Sequence, residues 1–433
     1  MDNKKFFFIM TVIVLISIVD SELGNVADFI PGLLSSTEGI IGFIGIWLIF
    51  IVTQYFILHY VEQINKENRG RIYLLNLTHR TVSIAQFSLV GLIGLVILQI
   101  LIAQEYYTLM LHVAQLISYG LWIITLAFLA RAFFLWYSSG KRDVMILILA
   151  LSMVAYVVNG IVGLYFITDF LAKQKPTIRV GDVAVFPGFS VTTLGELFAV
   201  ATQIASGVAY VLTWVGTAIL LRPYMKKLGT IKFWAIMGSA LVYYLVELPV
   251  FTLGFFSPSE NSDAMTNILI FSLSAIFTGI VFGAAFLSIA RTLRLGSAVR
   301  NYMIIVAYGF VLFYISGSAS VSQAAYPPYG LVSVSLTGLS CYLMYTGLYY
   351  SAISVSQDTA LRKSIRKSVM DQSKLLDKIG TAQMEREIQT RVITVAKKTT
   401  EALTNKTGIQ ASMSEDEMKD YMELVIKELQ SKS

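Results

Sequence analysis

Long apolar runs, separated by short polar connections, occupy the first four-fifths of this 433-residue chain. A helix needs about 20 residues to cross a hydrocarbon layer of ~30 Å. Nine runs reach or approach that length. They are Gly39–Tyr60, Ser83–Ala103, Tyr107–Tyr137, Val144–Phe166, Leu197–Leu221, Phe233–Phe256, Met265–Ala290, Tyr302–Ser320 and Leu331–Ala352. The pattern therefore predicts an all-α, polytopic membrane protein.

A tenth apolar run, Phe6–Val19, is shorter and follows Lys4 and Lys5. A short apolar segment behind positive charges is typical of a secretory signal peptide, but no A-x-A-like cleavage site follows it. Two interpretations stay open. A retained anchor gives ten spans, and a removed signal segment gives nine, with the same orientation for the other helices.

After the last run the pattern changes to that of an amphipathic helix. From Ser351 to Leu403, apolar residues recur at steps of three and four among charged and polar residues. A helix of about 45 residues cannot bury such a stripe alone, so we expect a coiled coil or a packed helical hairpin. Breaks are expected near Gly380 and Gly408, and the capping box Ser414–Glu417 opens a last helix.

These patterns divide the chain into three segments: 1–38, the anchor or signal segment with an outer linker; 39–352, a nine-helix membrane domain; and 353–433, a helical tail. Composition agrees, because only 14% of the residues are charged, against roughly 25% in a soluble domain. A soluble enzyme, a nucleic-acid-binding protein and a disordered chain are excluded. The single cysteine, Cys341, excludes an intrachain disulfide.

Positive residues mark alternate connections between the predicted spans. Sixteen Lys and Arg residues fall on one side and three on the other, where acidic residues accumulate instead. Because cytoplasmic loops carry the excess of Lys and Arg, we expect a multi-pass protein of the cell membrane with a cytoplasmic C-terminal tail.

Polar side chains inside the spans are candidates for a ligand or ion site, because they are costly in hydrocarbon. Six are predicted in the outer half of the bilayer: Gln99, His112, Gln115, Asn159, Gln203 and Glu247. Gln54 is predicted toward the inner half. Near Glu247, Pro249 removes the hydrogen bond to the Leu245 carbonyl. A freed carbonyl beside a carboxylate favours a cation or proton site, while an interhelical hydrogen bond stays open for Glu247.

Four cations follow the last span closely: Arg362, Lys363, Arg366 and Lys367. They are candidates for binding anionic lipid headgroups, or for a control cable that transmits helix motion. The chain carries no G-x-S-x-G, Walker A or H-E-x-x-H motif, and the outer loops lack a His cluster. We therefore expect no enzyme activity, no cofactor and no metal site.

Three stretches, Arg294–Tyr302, Ala325–Gly330 and Gly347–Asp358, resemble uncharacterised multi-pass membrane proteins of archaea. Gly296–Tyr302 is more weakly similar to a loop of bacterial seven-helix sensor modules that precede signalling domains. The resemblance implies a sensory role and assigns no ligand or binding residues. This chain departs from the sensor pattern because it lacks an output enzyme.

The leading functional hypothesis is a receptor-like sensor or signalling adaptor, in which the outer polar residues act on the tail through the last span. Its partners would be the lipid bilayer and either a second copy or a cytoplasmic effector, with no nucleic acid. Two alternatives stay open. One is a secondary transporter or channel whose path is lined by Glu247, Asn159 and Gln203; the other is a non-catalytic subunit of a membrane complex.

Overall fold

The computed structural model describes residues 3–26, 31–66, 73–139, 143–182, 193–252, 261–293, 297–317, 319, 325–358, 362 and 374–407. Two short strands are present, β1 (Glu105–Tyr107) and β2 (Thr177–Arg179). The α-helices of the described part are α1 (Asn3–Val26), α2 (Pro31–Leu34), α3 (Thr37–Lys66), α4 (Tyr73–Ala103), α5 (Thr108–Ser139), α6 (Val144–Ala172), α7 (Thr193–Leu221), α8 (Met225–Leu228), α9 (Thr230–Thr252), α10 (Asn261–Thr292), α11 (Ala298–Gly317), α12 (Leu331–Gln357) and α13 (Lys374–Thr407). The predicted all-α class is confirmed.

Nine helices of the described part are long and apolar enough to cross a membrane. They include eight of the nine predicted spans, together with α1. In α9 the apolar stretch Thr230–Leu241 is shorter than a membrane span. The end of the predicted span Phe233–Phe256 lies outside the described residues. The chain is therefore a multi-pass helical membrane protein.

Helix α12 forms the centre of the bundle, although its sequence is no more apolar than its neighbours. It packs against α1, α3, α4, α5, α11 and α13, and only Tyr349, Ser354 and Gln357 in it are not buried. At Gly338 a Cβ atom would lie 2.8 Å from the Cβ of Leu121 in α5. Small residues allow such close approach, and close packing is a main source of helix association in lipid.

Several hydroxyl groups of α12 are satisfied within the helix itself. Ser335 donates to the carbonyl of Leu331 at 2.8 Å, and Ser351 donates to that of Gly347 at 2.6 Å. Because such back-bonding gives these hydroxyls an acceptor in their own helix, they can be buried against neighbouring helices.

Helix α1 packs as a span of the bundle, against α3, α10, α11 and α12. Phe6 stacks on Tyr60 with 4.0 Å between ring centroids. Met10, Ile13 and Asp20 on α1 are fully buried. This segment therefore packs as a span, and the retained anchor and the removed signal both stay predictions.

The tail packs on the bundle through α13. α12 ends at Gln357, where Asp358 takes an extended conformation with φ −100° and ψ 101°. α13 then packs against α12, α5 and α6. The stripe predicted from Ser351 to Leu403 is thus shared by two helices of the described part, and the coiled coil and the packed helical hairpin both stay predictions.

Gly380 lies inside α13 and does not break it. The side chain of Val355 occupies the space where a Cβ of Gly380 would stand, so the glycine allows α13 to approach α12. The predicted break near Gly408 and the capping box Ser414–Glu417 lie outside the described residues.

Strands β1 and β2 pair with each other in a two-stranded sheet. The two strands are antiparallel, with Tyr106 opposite Ile178. Lys175 pairs with Asp182 at 2.9 Å, and this bond holds the pKa of the Asp182 carboxyl below its usual range. We call the end of the bundle with β1 and β2 the sheet side, and the end with α13 the tail side.

Candidate functional site

The first turn of α12 is capped by a carboxylate from another helix. Backbone N–H groups in a first helical turn have no acceptor within their own helix. Gly330, at the N-cap, has φ +88° and no side chain to accept them. Asp20 of α1 does so instead: its Oδ2 accepts the N–H of Ser333 at 2.7 Å, and the carboxylate also faces the N–H groups of Gly330 and Val332.

A pair of serines adds a second link between α1 and α12. The Ser333 hydroxyl donates to the Ser17 carbonyl at 2.8 Å, and the Ser17 hydroxyl donates to the Ser333 oxygen at 3.3 Å. Ser17, Asp20 and Ser333 are all fully buried. A negative charge at a helix N-terminus is stabilised by the macrodipole, which is the physical reason why a carboxylate can be accommodated here.

Two further helices bind the same turns of α12. The amide nitrogen of Gln86 in α4 donates to the Ser335 carbonyl at 3.2 Å, and the hydroxyl of Ser118 in α5 donates to the Val334 carbonyl at 2.6 Å. We call this arrangement the sheet-side junction and define it by Ser17, Asp20, Gln86, Ser118 and residues 330–335 of the chain.

Tyrosines fasten the connection that leads into α12. Tyr329 donates to the carbonyl of Gly39, and Tyr106 of β1 donates to the carbonyl of Ala325 at 2.6 Å. Burial, together with the nearby Asp20, raises the pKa of Tyr329 to about 12. Burial also raises the pKa of Tyr106. Both phenols are therefore protonated donors at neutral pH.

At the opposite end, an amide network joins α13 to the bundle. The indole N–H of Trp136 donates to the side-chain carbonyl of Gln383 at 2.9 Å, and the Gln383 amide donates to Glu387 at 3.1 Å. Ser356, near the end of α12, also donates to Glu387, at 3.4 Å. Trp136 and Gln383 are both buried. The network thus connects α5, α12 and α13.

An ion pair adds a contact between α13 and α6. Lys378 bonds to Asp143, whose carboxylate is also the N-cap of α6 and accepts the N–H of Met145 at 2.9 Å. We call the contacts of Trp136, Ser356, Lys378, Gln383 and Glu387 the tail-side junction. One helix, α12, reaches both junctions.

The six polar residues predicted in the outer half lie on five helices. Gln99 accepts the backbone N–H of Tyr107 at 3.1 Å, and Nε2 of His112 lies 3.4 Å from the Thr168 carbonyl. These two residues hold helix ends near the strands, which is a structural role.

The other four predicted polar residues lie on α5, α6, α7 and α9. Gln115 is buried in α5, Asn159 lies in α6, and Gln203 is partly buried in α7. Glu247 lies in α9, which continues as helix through Pro249; the side chain of Glu247 is outside the described residues. A ligand or ion site built from these residues stays a prediction.

Of the four tail cations, only Arg362 lies within the described residues. Its guanidinium contacts the sulfur of Met384 in α13. Lys363, Arg366 and Lys367 lie outside the described residues. Among the residues that are described, no group of three or more His, Cys, Asp and Glu side chains could hold a metal ion.

Gln54, in α3, is fully buried. Among the residues that the structure describes, neither atom of its side-chain amide has a hydrogen-bond partner. An unsatisfied amide in a membrane interior is costly, so Gln54 marks a point where the bundle is not optimised for stability.

The residues of both junctions were missed by sequence reasoning. Asp20 lies just after the predicted run Phe6–Val19, so it was assigned to the outer linker. In the structure, α1 continues seven residues beyond the end of that run. A usable signal was present: Gly330 offers no side chain to cap the helix that follows it. The partner of Trp136 could not be found from sequence, because 247 residues separate it from Gln383.

Comparison with protein-family models, curated proteins and solved structures finds no match for this chain. The class of protein is therefore defined by the fold itself. It is a polytopic α-helical membrane protein with a fully buried central helix and a tail helix packed on one end of the bundle.

Proposed function

We propose that this protein is a membrane sensor or signalling adaptor, in which α12 transmits a change at the sheet-side junction to α13. The observation that carries the proposal is that α12 is held at both ends by polar contacts, a buried one to Asp20 at one end and a partly buried one to Glu387 at the other. Packed interiors move between discrete arrangements rather than deforming smoothly. A shift or rotation of α12 therefore has to be accommodated at both junctions.

The direction of transmission rests on the charge pattern. Sixteen Lys and Arg residues favour a cytoplasmic tail side, so the sheet side would receive the stimulus. The output surface would be the distal part of α13. There Ile388, Val392 and Val395 form an exposed stripe at helical spacing, suited to a cytoplasmic effector or a second copy.

Hydrogen exchange on the full-length protein in lipid nanodiscs tests the proposal. The change is Asp20→Asn, and the readout is amide protection of residues 375–387 at the tail-side junction. We expect faster exchange at these residues in Asp20→Asn. The effect would act over a distance, because Ser333 and Ser356, one at each junction, lie about 34 Å apart along α12 at ~1.5 Å per residue. The reason is that a loosened N-terminus frees α12 to shift.

Glu105→Gln is the matched control. It converts an acid to its amide on the same side of the bundle, where Glu105 pairs with Arg179 at 2.5 Å without contacting α12. If Asp20→Asn increases exchange only around residues 330–335 and leaves α13 protected as in the control, α12 does not couple the junctions and the sensor proposal fails.

Secondary transport is a second candidate, favoured by a chain of hydroxyls across α6, α7 and α11. Ser152 lies 2.6 Å from Thr213, Thr213 donates to Tyr156 at 3.1 Å, and Tyr156 contacts Tyr314. Hydroxyl chains can pass protons between helices. Uptake measured in liposomes is expected to be lost in Glu247→Gln if Glu247 is the coupling group; unchanged proton- or cation-coupled uptake contradicts this candidate.

A further inference from the structure

A groove of about 640 Å³ runs along the outer surface of the bundle between α5 and α6. Apolar side chains such as Ala127, Phe134, Val154 and Val157 form almost all of its lining. Its polar members include Arg131 and Ser138, on α5 toward the tail side. In a multi-pass protein such a surface faces lipid.

The position of Arg131 matches the boundary between hydrocarbon and headgroups. If the 32-residue helix α5 is centred in the bilayer, about ten residues on each side of its midpoint lie within a ~30 Å hydrocarbon layer. Arg131 then lies within one turn of the boundary, and its long side chain can reach the headgroups. Ala127 and Val157 lie deeper, so the groove joins the two zones.

Arg131 is the one cation among the residues that line the groove, and its side chain is exposed. Within the described part of the chain, Arg131 forms no ion pair with a carboxylate. A guanidinium without a carboxylate partner favours an anion beside it.

We propose that the groove binds one anionic phospholipid, with an acyl chain against the apolar lining and the phosphate on Arg131. Guanidinium groups match phosphate oxygens in a bidentate manner. The charge pattern of the chain places this end of the bundle at the cytoplasmic leaflet, which carries anionic lipid. A free phosphate ion would contact Arg131 but not the apolar lining, whereas a phospholipid would contact both, so the groove favours a lipid.

The lipid site goes beyond the sensor proposal, because binding does not require that α12 move. Its consequence for the protein is a contact that bridges α5 and α6. The lipid would thereby add to the contacts that hold these two helices together.

Native mass spectrometry of the full-length protein tests the site. The protein is reconstituted in vesicles of equal parts phosphatidylcholine and phosphatidylglycerol, extracted in mild detergent, and the retained phosphatidylglycerol is counted. We expect Arg131→Ala to weaken retention roughly tenfold, the effect of losing one charge-assisted contact. Ala127→Trp, which fills the groove and keeps the charge of Arg131, is expected to reduce retention as well.

Arg291→Ala is the matched control. Arg291 lies in the last turn of α10 and follows an alanine, just as Arg131 follows Ala130. Arg291 does not line the groove. Retention in Arg131→Ala equal to that in Arg291→Ala would overturn the proposal. So would undiminished retention in Ala127→Trp, or release of the lipid by soluble glycerol phosphate. A circular dichroism melt of each variant shows that the protein compared is folded.

Discussion

At the scale of single residues, buried polar groups decide how α12 is held. Asp20 binds an N-terminus that its own sequence leaves uncapped, and it does so as an acceptor of several N–H groups. Gln54 is the opposite case, because neither of its amide atoms has a partner among the described residues. The two residues therefore predict changes of opposite sign in stability.

Asp20→Asn is expected to lower the free energy of unfolding by about 1–2 kcal/mol, because an amide keeps one acceptor oxygen but loses the charge that interacts with the helix dipole. Asp20→Ala, which also removes the acceptor, should lower it further. Thermal unfolding in detergent micelles measures both. An Asn variant as stable as the wild type would mean that no charge acts at the α12 N-terminus.

Gln54→Leu is expected to raise the free energy of unfolding by about 1–3 kcal/mol, the cost of a buried amide without partners. Gln86→Leu serves as the comparison, since it removes the bond to the Ser335 carbonyl and should not stabilise. The same thermal assay applies. A loss of stability in Gln54→Leu would show that its amide is satisfied in the folded protein.

At the scale of secondary-structure elements, glycine determines where helices meet. Gly380 lets α13 lie against Val355 at the end of α12. The buried face of α13 comprises Leu375, Leu376, Ile379 and Ala382, whereas Ile388 and Val395 farther along are exposed. Docking of the tail therefore depends on the first turns of α13.

Gly380→Ala is expected to detach α13, because the new methyl group overlaps the side chain of Val355. The measurement is the rate of trypsin cleavage after Arg391 in the folded protein, which should rise several-fold as the helix frays. Gly380→Ala combined with Val355→Gly should restore the slow rate, since the second change removes both the Cγ1 and the Cβ atom that overlap the new methyl group. Gly45→Ala, at a glycine with open space around it, is the control. Cleavage that stays fast in the double variant would exclude the steric explanation.

At the scale of the whole molecule, the two ends of the bundle differ in charge and in structure. The sheet side carries β1 and β2, and the tail side carries α13 and its ion pair with Asp143. The positive-inside pattern predicts that the tail side faces the cytoplasm.

Cysteine labelling tests this orientation, and the single native cysteine, Cys341, is fully buried and gives little background. Val180→Cys places a thiol on the sheet side, at an exposed residue, and Thr394→Cys places one on α13. A membrane-impermeant maleimide applied to intact cells is expected to label position 180 and not position 394. The reverse result would invert the proposed direction of signalling.

The sequence by itself determined the class of protein and most of its helices. Runs such as Val144–Phe166 and Leu331–Ala352 predict spans because hydrocarbon tolerates only apolar segments whose backbone is satisfied internally. This constraint is local, so it can be read without tertiary information. It also predicted the change from an apolar to an amphipathic pattern between the last span and the tail.

Only the tertiary structure decided which helix is central and what holds it. Spans that face lipid and spans that face protein are both apolar, so the hydropathy pattern does not distinguish α12 from its neighbours. The contacts that do so join residues far apart in the chain, as when Asp20 binds Ser333 or Trp136 binds Gln383. Such pairs arise from packing geometry, which no local pattern of residues encodes.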